Sequence, residues 1–119
     1  MERVNFIQYK GKRILYIDFS NCDIGEDLKV IEKAKKIIRS QPEKSIFTLT
    51  NFTDTRFNDE TTVALKEYVA GNKPYVIAAA VVGVTGIKQI LYNSIMRLTG
   101  RKLTLFDTMD QAKEWLAEQ

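Results

Sequence analysis

The sequence predicts an α/β fold: a mainly parallel five-stranded sheet with an antiparallel N-terminal edge strand and four helices, in the order ββαβαβαβα. Three observations carry that prediction. Residues 76–82 read Val-Ile-Ala-Ala-Ala-Val-Val, an unbroken apolar run, and a short run without alternation is the pattern of a strand covered on both faces. That run empties into Gly83-Val84-Thr85-Gly86 and then into a helical pattern, so strand, glycine loop and helix follow one another directly. Over the rest of the chain, strand-like and helix-like segments alternate after an opening hairpin, which implies parallel strands joined by right-handed helical crossovers. Residues 1–119 read as one domain of ordinary size, and a chain this long buries roughly two-thirds of its unfolded surface.

Residues 3–9 and 13–20 form the hairpin, turned by Lys10-Gly11-Lys12. Leu15, Ile17 and Phe19 share one face of the second strand; Ile14, Tyr16 and Asp18 share the other. A helix over 26–39 places Val30, Ile31, Ala34, Ile37 and Ile38 on one stripe, with Glu26 and Asp27 in the first turn, where the helix dipole favours acids. Gln41-Pro42 ends it. In the third strand, 45–51, Thr48 and Thr50 side with Ile46 while Phe47 and Leu49 take the other face, which suggests thinner cover on the threonine side. Asn58 or Asp59 can cap the second helix, which buries Thr61, Leu65, Tyr68 and Val69 and stops at Gly71-Asn72. In the third helix, 87–98, Ile87, Ile90, Leu91, Ser94, Ile95 and Leu98 make the core stripe, and Tyr92 and Met96 point nearly opposite it, to the outer face, at about 100° per residue. Residues 101–107 form the last strand. Thr108 and Gln111 match a capping box that opens a fourth helix with Met109, Ala112, Trp115 and Leu116 inward.

Composition narrows the chemistry. The chain has no histidine and one cysteine, Cys22. The first fact removes Ser-His and Cys-His nucleophilic sites and the commonest general base; together they leave few zinc ligands. No metal site, cofactor or nucleic-acid partner is expected. A lone cysteine cannot form an internal disulfide, which suits a reducing cytoplasm. Residues 1–5 hold no apolar signal core, and no apolar run approaches the ~20 residues of a membrane helix. The net charge is +3 but unevenly spread: residues 68–106 contain no Asp or Glu, and carry Lys73, Lys88, Arg97, Arg101 and Lys102. Such a stretch suits phosphate, anionic lipid or an acidic protein.

Two segments are candidate sites. Gly83, Thr85 and Gly86 precede a helix N-terminus whose free N–H groups can hold an anion, with Lys88 in the first turn; neither a Walker loop nor a GxGxxG pattern is present. The loop into the second helix brings Asn58, Asp59, Glu60 and Thr61, residue types that capping and turn formation also favour. If the strands run parallel, both segments open on one edge of the sheet. Tyr92, Met96 and Arg97 form a candidate interaction patch.

The element order, with Val81-Val82-Gly83-Val84-Thr85-Gly86 and Thr99-Gly100-Arg101, resembles the STAS superfamily, the anti-sigma-factor antagonist fold, and within it the small stand-alone SpoIIAA-like (STAS/SEC14-like) proteins. The resemblance implies a sheet whose consecutive strands are neighbours, with helices largely on one side, and a non-enzymatic binding or regulatory module acting through a protein partner. In regulatory members an Asp-Ser-Ser-Gly-Leu-type motif before the second helix is phosphorylated by a partner kinase. Here Asp59 matches the Asp, Glu60 takes the first serine position and Thr61 the second. Glu60 cannot be phosphorylated, so the phosphoswitch rests on Thr61 alone as candidate phosphoacceptor, and helical phase turns Thr61 inward. The SEC14-like label implies the alternative, a small apolar or lipid ligand. A homodimer through an edge strand, the open sheet face or the outer face of the third helix is a further expectation.

Overall fold

Lys10 and Gly11 both have positive φ, 48° and 82°, the geometry of a two-residue type I′ turn whose twist matches its flanking strands. In this computed structural model, which describes residues 2–119, that turn joins β1 (Val4–Tyr9) to β2 (Lys12–Asp18) in antiparallel register, Val4 opposite Ile17 and Tyr9 opposite Lys12. Met1, the first residue of the stretch read above as lacking a signal core, lies outside the described residues. There follow α1 (Glu26–Arg39), β3 (Ile46–Asn51), α2 (Asp59–Gly71), β4 (Val76–Val82), α3 (Ile87–Thr99), β5 (Thr104–Phe106) and α4 (Met109–Ala117). The sheet order is β1-β2-β3-β4-β5, with every pairing after the first parallel. Element order, strand adjacency and the antiparallel edge all match the expectation; the last strand is shorter than residues 101–107.

The sheet separates two apolar layers. On one face Leu15, Ile17, Phe19 and Ile46 pack beneath α1, α2 and α3, meeting Ile31, Ala34, Leu65 and Ile95. On the other, Ile14, Leu49, Ala80 and Val82 pack against Ala112 and Leu116 of α4 alone. The threonine reading therefore needs correcting. One face is indeed thinly covered, but Thr48 and Thr50 lie opposite Leu15 and Ile17 on the three-helix side and are 6 % and 8 % exposed. Burying a hydroxyl is tolerable where a polar neighbour is near, and both threonines line a small cavity that Tyr68, Asn72 and Arg101 also line.

Helix α3 requires the larger correction. Ile87, Ile90 and Leu98, read as core, are 85 %, 72 % and 66 % exposed. Tyr92 and Met96, read as outward, pack on the core side. The chain leaving α3 explains the rotation. It passes Gly100 at φ 68° and doubles back over the helix, so that Tyr92 Oη donates to the Leu103 carbonyl and Leu103 N donates to Met96 Sδ at 3.3 Å. A buried tyrosine needs a partner for its hydroxyl, and this orientation supplies one. The helix carries two overlapping apolar stripes, and the smaller one is buried.

Candidate functional site

Because β2, β3 and β4 are parallel, the loops following them emerge on the same sheet edge. Backbone hydrogen bonds knit them together: Phe52 N donates to Val82 O (2.9 Å), Asn21 N to Thr53 O (2.9 Å) and Arg56 N to Cys22 O (3.1 Å). Asn51 Oδ1 accepts from Thr53 N at 3.0 Å and from Thr53 Oγ1 at 2.6 Å, an Asx turn that fixes the start of the β3–α2 loop. Phe52 stacks on Phe19 with ring centroids 4.8 Å apart and meets Phe57 edge-on at 5.8 Å. The loop therefore has a small apolar core of its own.

Gly83 stands where the loops touch. Its φ is +83°, and a Cβ there would lie 2.4 Å from Thr53 N and 2.8 Å from Thr53 Cα. Only glycine fits that conformation and that distance together. Lys88, in the first turn of α3, donates from Nζ to the Phe52 carbonyl at 2.8 Å. Gly83 and Lys88 thus meet Thr53 and Phe52, at the start of the loop that leads to Asn58, Asp59, Glu60 and Thr61, and Lys88 is spent on the loop backbone. No salt bridge joins it to Asp59 or Glu60 among the described residues. Lys88 N and Gln89 N turn back to Thr85 O and Gly86 O, which leaves few N–H groups at this helix end for an anion.

Asn58 is the N-cap of α2, its Oδ1 accepting from Thr61 N and from Thr61 Oγ1, both at 2.9 Å. Asp59 and Glu60 follow as exposed side chains of the first turn, where the dipole favours them. Thr61 is 0 % exposed. Its hydroxyl is sealed under the cap, so a kinase cannot reach it without opening the helix N-terminus. Thr85 and Gly86 are exposed at the tip of the neighbouring loop.

The outer surface of α3 has become the more prominent feature. Ile87, Ile90 and Leu98, with Ser94, lie on one stripe, and exposed Arg97 borders it. Scattered exposed apolar groups are ordinary, whereas several on one stripe mark a contact surface. Beneath the helix, on its buried side, is a cavity of about 40 Å³ walled by Phe57, Leu65, Leu91 and Met96 among others and almost wholly apolar, with Lys88 at its margin. A second of about 30 Å³ adjoins it, sharing Phe52, Val69, Val81 and Leu103, and adds Thr48, Thr50, Tyr68, Asn72 and Arg101. Sequence reasoning missed the exposed stripe and Arg101. The stripe was legible as one of two on α3, and Arg101 as one of the cations in the acid-free stretch.

Cys22 is 1 % exposed. Burial pushes its thiol up to about 11, against a small opposing pull from Arg3, so it is an unreactive core group. Among the described residues no cluster of three or more metal-ligating side chains occurs, and no helix is long and apolar enough to cross a membrane. In comparisons with known proteins, no family model, curated protein or solved structure matches this chain.

Proposed function

We propose that the chain is a non-enzymatic binding or regulatory module of STAS type, and that it docks a protein partner through the outer face of α3. The observation that carries this reading is the exposed Ile87, Ile90 and Leu98 stripe within a stretch that holds five cations and no acid. Fully burying each such side chain gains about 1.5–3 kcal/mol, so the three together reach only the lower part of the roughly 4–15 kcal/mol that association costs. The stripe alone makes a weak contact, so the partner has to add complementary charge. That requirement favours an acidic partner over a second copy of this chain, because Arg97, which borders the stripe, would find no acid on the α3 of a second copy.

The module works without a phosphoswitch at Thr61. Glu60 supplies a constant negative charge where regulatory STAS proteins carry a serine, and the buried Thr61 hydroxyl donates to the capping side chain of Asn58. A lipid carrier is the weaker reading. The apolar cavity favours some small ligand, but about 40 Å³ is far below the roughly 300 Å³ of an ordinary ligand pocket.

The test is affinity capture with the wild-type protein beside Ile90→Asp and Arg97→Glu, each checked for native circular dichroism. The expected result is a defined partner held by the wild type and lost by both variants. Equal capture by all three, or no partner above background, would overturn the reading.

A further inference from the structure

The two edges of the sheet are built differently. β5 is only three residues long and lies between Arg101-Lys102 and Asp107; shortness and charge are ordinary ways of keeping an edge from pairing with another chain. β1 has neither. It runs six residues, Val-Asn-Phe-Ile-Gln-Tyr, without proline, glycine or charge, and its register against β2 contains no bulge. Phe6, Ile7 and Tyr9 stay half-buried along it. An edge that is long, regular and apolar is a template for a further strand.

Alternation fixes which backbone groups are free. Asp18 N donates to Arg3 O at 2.7 Å. Arg3 and its alternate neighbours Asn5, Ile7 and Tyr9 therefore turn their N–H and C=O toward β2, and Val4, Phe6 and Gln8 turn theirs outward. Val4 is 3 % exposed, so its outward groups are covered. Those of Phe6 and Gln8 stand open: among the described residues no backbone hydrogen bond from outside the sheet reaches them. The charges nearby are matched within the chain, Glu2 with Lys33, Arg3 with Glu26 and Lys10 with Glu114. That matching gives a strongly charged foreign strand little to recognise, and it lowers the repulsion that a second copy would meet.

We infer that two copies of this chain pair antiparallel along β1, about a two-fold axis at Ile7. That axis sets Phe6 of each copy opposite Gln8 of the other, so every open N–H and C=O gains a partner. It also sets the two Ile7 side chains against each other on the thinly covered α4 face. An axis at Phe6 would instead rely on the covered groups of Val4. Because the paired strands run in opposite directions, Glu2 of each copy comes toward the cationic Lys10-Gly11-Lys12 turn of the other, a charge match that the edge supplies from its own two ends. The helix α3 sits toward the other end of the sheet, beside Val81 of β4. The dimer therefore leaves both α3 faces free and does not rest on the docking proposed for them.

Sedimentation velocity of the full chain, over a concentration series up to about 1 mM, is expected to show a reversible monomer–dimer equilibrium. Amide hydrogen exchange should slow with concentration at Phe6 and Gln8 more than at Ile7 and Tyr9, whose amides bond within the chain. Gln8→Pro removes an outward N–H from each copy and no bond within the chain, and should weaken the dimer about tenfold or more. Ile7→Lys keeps every backbone bond but sets like charges across the axis, and should also weaken it about tenfold or more. Circular dichroism checks that each variant is natively folded. Ile90→Asp, on the outer face of α3, should leave association unchanged. A natively folded edge variant that dimerises as the wild type does, or a dimer lost with Ile90→Asp, would overturn the pairing. So would a chain that stays monomeric to about 1 mM, a result that would assign the edge to a foreign strand or to none.

Discussion

Replacing Gly83 by alanine tests how the loop cluster is held. The backbone there sits at φ +83°, and the added methyl would meet Thr53 N at 2.4 Å and Thr53 Cα at 2.8 Å, backbone atoms that cannot rotate away. Two costs follow. Holding an L-residue in the left-handed region costs about 1–2 kcal/mol, and forcing two packed segments apart costs about 1–3 kcal/mol more. The sum, roughly 2–5 kcal/mol, is a large part of the ~5–15 kcal/mol that stabilises an ordinary domain. Gly86→Ala is the matched control, because Gly86 also has positive φ, 60°, but a Cβ there meets nothing within 4 Å. Urea unfolding at 25 °C measures both, the midpoint shift at constant slope giving the change in stability. Gly83→Ala is expected to cost more than Gly86→Ala by the clash component. If the two cost the same, or if Gly83→Ala lies within about 1 kcal/mol of wild type, the close approach of the loops is not what holds this edge together.

Three further outcomes follow from the same packing. Met96→Ala should cost about 2 kcal/mol in urea unfolding and Ile90→Ala less than ~0.5 kcal/mol, and the reverse order would restore the helix orientation first read from the sequence. Asn58→Ala should destabilise by about 1–2 kcal/mol, because one side-chain oxygen serves both Thr61 N and Thr61 Oγ1, whereas Asn58→Asp should retain most of the cap; equal losses in the two variants would remove the cap as the cause. For Cys22, burial favours the neutral thiol and raises its folded pKa from 9.0 to about 11. Its contribution is therefore complete below pH 9.0 and is lost as pH rises through about 11, on the order of 3 kcal/mol in all. The stability difference between wild type and Cys22→Ala should narrow over that window, and a difference independent of pH would contradict the buried-thiol assignment.

The frame of the fold was legible because its signals are local. The apolar run of β4, the Asn58 and Thr108 caps and the Lys10-Gly11 turn each act within a few residues, and each fell where the sequence placed it. That the β3–α2 and β4–α3 loops open on one edge was also legible, since parallel neighbouring strands send their loops to one edge. The orientation of α3 was not. Its pattern contains two stripes that share Leu91, and the choice between them is made by residues after the helix, where Leu103 returns to meet Tyr92 and Met96. Periodicity cannot register such a long-range contact. The fate of Lys88 was hidden for the same reason: a cation at a helix N-terminus reads as an anion ligand until a carbonyl from another loop, that of Phe52, claims it.

The measurement that bears most directly on the docking proposal is site-specific photocrosslinking in cells, with a benzoylphenylalanine placed at Ile90 on the outer face of α3 and, separately, at Lys29 on the outer face of α1. Docking through α3 predicts a discrete crosslinked species to an acidic partner from position 90 and none from position 29. The same products from both positions, or none from position 90, would contradict it.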